Sequence, residues 1–275
     1  MSKSKLKKLL AFFFHGEKKP VYARITSLNP SEKLKGKKII VTGGGSGLGY
    51  AMVKRFVDEG ADVLISGRNT ETLSKRASEI GCKYLQLDLQ NTSAYDSYLE
   101  KADSLLGGIN CLVNNAGISL HEKSYFDVTV ESFRSQVDTN LIGTFFLTQH
   151  FAKYLIDHKT EGNILVISSE TGITSDIRPY GYTKAALNSM VEGVAYTFAK
   201  QNIRINAIAP GITASQMTGK DPHGDISSRK EMLGRVYLPE EVAEIAAFLL
   251  SDASACLTGQ TLVCNNGKTI NARVK

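Results

Sequence analysis

Tyr180 and Lys184 stand four residues apart in a segment of helical pattern, Tyr180–Gln201, so their side chains share one helix face. A tyrosine hydroxyl ionises near pH 10 in ordinary surroundings, too high for a base at neutral pH. A neighbouring ammonium favours the phenolate and brings that value down. The pair therefore suits proton delivery to an oxygen on which negative charge develops, or removal of that proton in reverse. Tyr182 is also at hand, but two residues before Lys184 it lies on a different face. Taken alone, Lys184 would read as a surface lysine and Asn140 as a local backbone cap.

A second chemical signal is the run Thr42-Gly-Gly-Gly-Ser-Gly-Leu-Gly49. It follows the apolar stretch Lys38–Thr42 and opens an amphipathic helix from about 48 to 59. Glycines let a ligand approach the backbone, and the helix N-terminus that follows favours an anion. In this strand–turn–helix setting the run reads as a dinucleotide-phosphate cradle.

The elements that must carry these groups alternate along the chain. Strands are predicted at 38–42, 62–66, 83–87, 110–114, 162–168, 203–209 and 261–264. Helices are predicted at 48–59, 70–80, 93–106, 132–158, 180–201 and 239–250. Alternation of this kind implies one α/β domain, a mostly parallel sheet of seven strands covered by helices on both faces. Residues 20–37, with Pro20, Pro30 and Gly36, read as a linker or first turn. The expected division is a basic arm and linker, 1–35, and a catalytic domain, 36–275.

Composition narrows the function classes. The 275 residues are 42% hydrophobic and 22% charged, enough to bury a sizeable core. The net charge of +6 is unevenly placed. Residues 1–38 hold 11 Lys and Arg against Glu17 and Glu32, a balance of +9; the remainder holds 22 against 25, a balance of −3. A basic nucleic-acid-binding body is thereby disfavoured, and no nucleic-acid partner is expected. Cys82, Cys111, Cys256 and Cys264 form no C-x-x-C pair, so buried thiols are expected, with no metal site and no disulfide framework. The apolar run Leu9–Phe14 is short for a signal peptide, which favours a cytoplasmic protein. Residues 1–20 form a basic amphipathic segment suited either to peripheral contact with an anionic membrane or to an arm packed on protein.

Further motifs appear in order: Asn114-Asn-Ala-Gly117 after the fourth strand, Asn140 in NLIGTFF, Ser168-Ser169 at the fifth strand end, Tyr180-Gly-Tyr-Thr-Lys184, and Pro210-Gly211 after the sixth strand. With the spacing Gly43-x-x-x-Gly47-x-Gly49, this series resembles the classical short-chain dehydrogenase/reductase family over roughly residues 36–270. The resemblance implies a Rossmann-type doubly wound domain and a hydride transfer between a nicotinamide cofactor and a carbonyl or alcohol. It implies catalytic roles for Asn140, Ser169, Tyr180 and Lys184. It implies cofactor contacts from Gly43, Gly45, Ser46, Gly47, Leu48, Gly49, Asp88, Leu89, Asn114, Ala116, Gly117, Tyr180, Lys184, Pro210, Gly211 and Thr213. Asp88 is expected at the adenine and Thr213 near the nicotinamide carboxamide. The family also commonly forms homodimers or homotetramers through its two long helices.

The second strand ends Ser66-Gly67-Arg68, with Gly67 where NAD-preferring members carry Asp. An arginine there suits a 2′-phosphate, so NADP(H) is favoured over NAD(H). Two departures touch the substrate side. The Ser169–Tyr180 separation is two residues shorter than usual, and Asn265-Asn266-Gly267 replaces the common Asp-Gly-Gly. The substrate loop, 212–237, is rich in polar residues, which favours a small or polar substrate; Glu170, Arg178 and His121 are placed to reach it. The competing readings are a sugar-nucleotide epimerase or dehydratase and a non-catalytic nucleotide-binding scaffold.

Overall fold

The computed structural model describes residues 32–270, so the basic amphipathic segment falls outside the described residues. Strands β1 (Lys38–Thr42), β2 (Asp62–Gly67), β3 (Lys83–Gln86), β4 (Cys111–Asn114), β5 (Gly162–Ile167), β6 (Ile203–Pro210) and β7 (Thr261–Cys264) build one sheet in the order β3-β2-β1-β4-β5-β6-β7. Every pairing is parallel. The direction of winding reverses between β1 and β4, which leaves a crevice at their C-terminal ends.

Alternation along each strand divides the core into two layers. Ile39 and Val41 point to one face, where α1 (Gly47–Asp58) and α7 (Pro239–Leu250) pack. Ile40 points to the other, with Leu112, Ile164 and Val166. That second layer is closed by α3 (Tyr95–Leu106), α5 (Thr144–Asp157) and α6 (Pro179–Phe198). Helices α2 (Thr70–Ile80) and α4 (Val130–Val137) complete the set. None of the described helices is long and apolar enough to cross a membrane.

Three expectations need correction or refinement. The long helical region at 132–158 is α4 and α5 joined by a π-helical turn, Asp138–Gly143. Gly143 closes this turn, and a Cβ there would lie 2.6 Å from the Leu89 carbonyl oxygen. The thiols are not uniformly buried: Cys111 is, Cys82 and Cys264 are half-buried, and Cys256 is exposed. Finally, Leu34 belongs to the core and not to a linker. It is fully buried among Ile39, Phe56 and their neighbours, and its backbone N–H donates to the Glu59 carbonyl at 3.0 Å. The segment carrying Leu34 is therefore part of the folded unit. Leu34→Ala should cost about 2–5 kcal/mol in denaturant unfolding, as for other core leucines; a loss below about 0.5 kcal/mol would return the segment to the status of a linker.

Candidate active site

A cleft of about 710 Å³ opens at the crevice between β1 and β4. Its floor is the glycine turn. Gly43 and Gly47 have φ of +66° and +51°, and a Cβ on Gly49 would stand 2.2 Å from the Gly43 carbonyl oxygen. Only glycines fit this turn, and the bare backbone at the start of α1 faces the cleft. Gly43, Ser46, Gly47, Leu48 and Gly49 line it; Gly45 does not, standing instead against Thr72 and Leu73. This cradle fits a dinucleotide phosphate. Asp88, Leu89, Pro210, Gly211 and Thr213 also line the cleft.

Asn114 departs from its expected place. It is buried, and its Nδ2 donates to Thr148 Oγ1 at 2.9 Å, away from the cleft. Its neighbour Asn115 lines the cleft instead, donating from Nδ2 to the Thr42 and Gly43 carbonyls at 3.0 and 3.1 Å. Asn115 thus ties the end of β4 to the glycine turn. Strand alternation was the available signal: of two successive asparagines, only one can face the core.

Arg68 is exposed just beyond β2. It lines both the main cleft and an adjoining cavity of about 370 Å³, which Lys101 also lines. Sequence reasoning missed Lys101, because it lies on α3 and reaches this spot only through the packing of α3 beside β2 and β3.

Tyr180 and Lys184 sit on the first turns of α6, and Pro179 at the first helical position stiffens its start. Lys184 Nζ lies 5.5 Å from the Tyr180 ring centroid. Tyr182 is 47% exposed and is not among the cleft residues. The ammonium of Lys184 is buried and donates to the Ile167 carbonyl at 2.7 Å. Burial alone holds its pKa down, at about 8. Tyr180 overturns one expectation, since its pKa lies above the ordinary tyrosine value. Loss of water contact raises it, as to a lesser degree does Asp176, while the neighbouring Ser169 hydroxyl and the charge of Arg178 act in the opposite sense. Lys184, with a pKa of about 8, is already neutral where a phenol of raised pKa ionises, and so does not lower it.

Asn140 lies behind the cleft wall, on the π turn. Its Oδ1 accepts from Ile118 N–H and its Nδ2 donates to Ile118 C=O, both at 2.8 Å. It therefore does serve as a backbone clamp. A Cβ on Gly117 would meet Asn140 Oδ1 at 3.2 Å and Lys184 Nζ at 3.6 Å, so all three groups converge there.

Both serines border the cleft, but Ser168 is buried and donates to the Lys184 carbonyl, whereas Ser169 stands beside Tyr180. Glu170 borders the cleft, but its oxygens are already engaged. Lys268 Nζ donates to Glu170 Oε1 at 2.7 Å and to Glu231 Oε1 at 2.8 Å, and Asn265 Nδ2 donates to Glu170 Oε2 at 3.1 Å. The two departures on the substrate side thus meet: the short loop and the altered C-terminal motif are bonded to one another. Through Glu231 they also hold the substrate loop. Arg178 lines the cleft with Asp176 as its bidentate partner, and His121 lines it with a φ of +55°. Among the described residues no cluster of His, Cys, Asp or Glu suits a metal ion.

Residues 43–269 match the family model described as enoyl-(acyl carrier protein) reductase. The chain is 32% identical over 249 residues to L-rhamnose 1-dehydrogenase (NADP(+)) of Thermoplasma acidophilum, covering 86% of this chain and 98% of the relative. It is 33% identical over 245 residues to the 3-oxoacyl-(acyl-carrier-protein) reductase of Aquifex aeolicus, covering 86% and 98%. Among solved structures, a short-chain type dehydrogenase/reductase from Mycobacterium marinum superposes with a TM-score of 0.79 at 30% identity, covering 87% of this chain and 98% of that one.

The buried ammonium has a consequence for stability. In the unfolded chain Lys184 titrates near 10.4; in the folded chain it does so at about 8. Below pH 8 the fold carries the full cost of a buried charge. Between about 8 and 10.4 the folded form sheds the proton first, so stability rises with pH. Lys184→Met should therefore melt higher than the wild type at pH 7, with an advantage that shrinks by pH 10. A constant difference across that range would show that Lys184 is not strained by burial.

Proposed function

The chain belongs to the short-chain dehydrogenase/reductase family and is an oxidoreductase of carbonyl and alcohol carbons, and from that premise we propose that it uses NADP(H) to interconvert a small, polar carbonyl compound and its alcohol. The observation that carries the reading is the convergence of Tyr180, Ser169 and Lys184 in one cleft with the glycine cradle. The cofactor, when bound, would supply or accept the hydride. Tyr180 would hand its proton to the developing alkoxide, which is disfavoured as an anion in a half-dry cleft and so draws the proton readily. A Tyr180 pKa held above the ordinary value leaves the phenol protonated at neutral pH, the form that reduction needs. Ser169 would orient the substrate oxygen. Lys184, with a single carbonyl partner and a buried charge, would hold ribose hydroxyls, and Asn140 would steady the loop at Ile118 and a proton path to Lys184.

NADP(H) is supported by Arg68 and by Lys101 beside it, two cations at the end of the cleft where an adenosine 2′-phosphate would lie, with Gly67 in the place of an acid. The dehydrogenase of Thermoplasma acidophilum carries NADP(+) in its name, in keeping with this choice. The polar walls at Arg178, His121 and Gln216 support a polar substrate. We also propose a homo-oligomer built through the long helices: Phe145, Phe146, Tyr182 and Tyr196 are large side chains exposed on α5 and α6, a pattern typical of an interface.

Tyr180→Phe should lower carbonyl reduction by at least about 100-fold while the dissociation constant for NADPH, measured by fluorescence titration, stays within twofold. Retained turnover would remove Tyr180 as proton donor. Arg68→Ala should weaken NADPH by about 10- to 100-fold and NADH far less, the scale of one charge-assisted hydrogen bond. Equal losses for the two would mean that Arg68 does not read the phosphate.

A further inference from the structure

Beside Ser169 stands a hydroxyl that the reaction outlined above leaves without a task. Ser169, Glu170, Thr171 and Gly172 form a single 3₁₀ turn after β5, and this turn is pinned on several sides. Gly172 packs so closely on α6 that a Cβ would lie 2.7 Å from the Lys184 carbonyl carbon. The Gly172 carbonyl accepts from Asn188 Nδ2 at 3.1 Å. Glu170 is held by Lys268 and Asn265. Within this rigid turn, Ser169 Oγ accepts two hydrogen bonds from one residue: Thr171 N–H at 3.2 Å and Thr171 Oγ1–H at 3.0 Å.

A serine hydroxyl has two acceptor lone pairs and one proton to give. With both acceptor positions met by Thr171, the proton of Ser169 has one direction left, outward into the cleft. Tyr180 stands beside Ser169 on the same cleft. We propose that Thr171 is a positioning residue, which fixes Ser169 as a hydrogen-bond donor and so keeps the Tyr180 proton for the substrate.

Losing the Thr171 hydroxyl would free one lone pair on Ser169. Tyr180 O–H could then donate to Ser169, and its proton would point at the wrong oxygen. With Thr171 in place, both Ser169 and Tyr180 present O–H groups to the substrate oxygen, an arrangement complementary to the charge that develops there. The threonine methyl has no part in this; the hydroxyl has.

The inference rests on the proposed roles of Ser169 and Tyr180, and a double-mutant cycle separates it from them. The variants are Thr171→Val, Thr171→Ala, Thr171→Ser, Ser169→Ala, and Ser169→Ala combined with Thr171→Val. Each is assayed for kcat and KM with a reducible carbonyl compound and for NADPH dissociation. Thr171→Val and Thr171→Ala should lower kcat about 3- to 10-fold, the worth of one neutral hydrogen bond, with NADPH affinity unchanged. Thr171→Ser should restore the wild-type rate. In the Ser169→Ala background, Thr171→Val should cost nothing further. If Thr171→Val slows that background as much as it slows the wild type, Thr171 acts on the substrate directly and the inference falls. It falls too if Thr171→Ser is as slow as Thr171→Val. A Ser169→Ala variant as fast as the wild type would overturn the proposed role of Ser169, and this inference with it.

Discussion

An ammonium group buried at the base of the cleft, with a backbone carbonyl as its hydrogen-bond partner, is the constraint around which the rest is arranged. A buried charge is tolerated only where polar groups converge on it. Here the strand end supplies the Ile167 carbonyl, and Gly117 leaves room for Lys184 and Asn140 to approach. Gly172 lets the turn after β5 press against the backbone of α6. A larger residue at Gly172 would meet the Lys184 backbone, and one at Gly117 would crowd Asn140 Oδ1. The cost of burial is thus offset in part by the Ile167 carbonyl at the base of the cleft.

The same logic joins the two ends of the cleft. At one end the sheet reverses direction, and the glycine turn, braced by Asn115, presents bare backbone to an anion. At the other, the loop carrying Ser169 is tied through Glu170 and Lys268 to the substrate loop at Glu231. Two carboxylates share one lysine there, and Glu231 is almost wholly buried. Removing that lysine would leave two acids facing a dry pocket, so Lys268 acts as a staple between catalytic turn and substrate wall.

Most of the fold was legible because its signals are local. β1, β7, α2 and α7 lie at their predicted bounds, since apolar runs and caps define them; Asn69 caps α2 with its side chain and Gly81 ends it in the left-handed region. The π turn was not legible. It contains the close approach of Gly143 to Leu89, 54 residues earlier, a contact with no trace in periodicity. In the cleft, Tyr180 and Lys184 were readable from one helix face, and Ser169 from its motif. Asn115 and Lys101 were not, because their places depend on strand facing and helix docking. The effect of Lys184 on Tyr180 was misjudged for a related reason: spacing says that two groups are near, but not that burial lets the amine lose its proton before the phenol ionises.

The account stands or falls on Lys184 being a buried cation of depressed basicity beside Tyr180. An NMR titration of the lysine side-chain resonances, with Lys184→Met used to assign the signal, measures this directly. The predicted result is a midpoint at about pH 8. A midpoint at the ordinary lysine value, near 10.4, would contradict it.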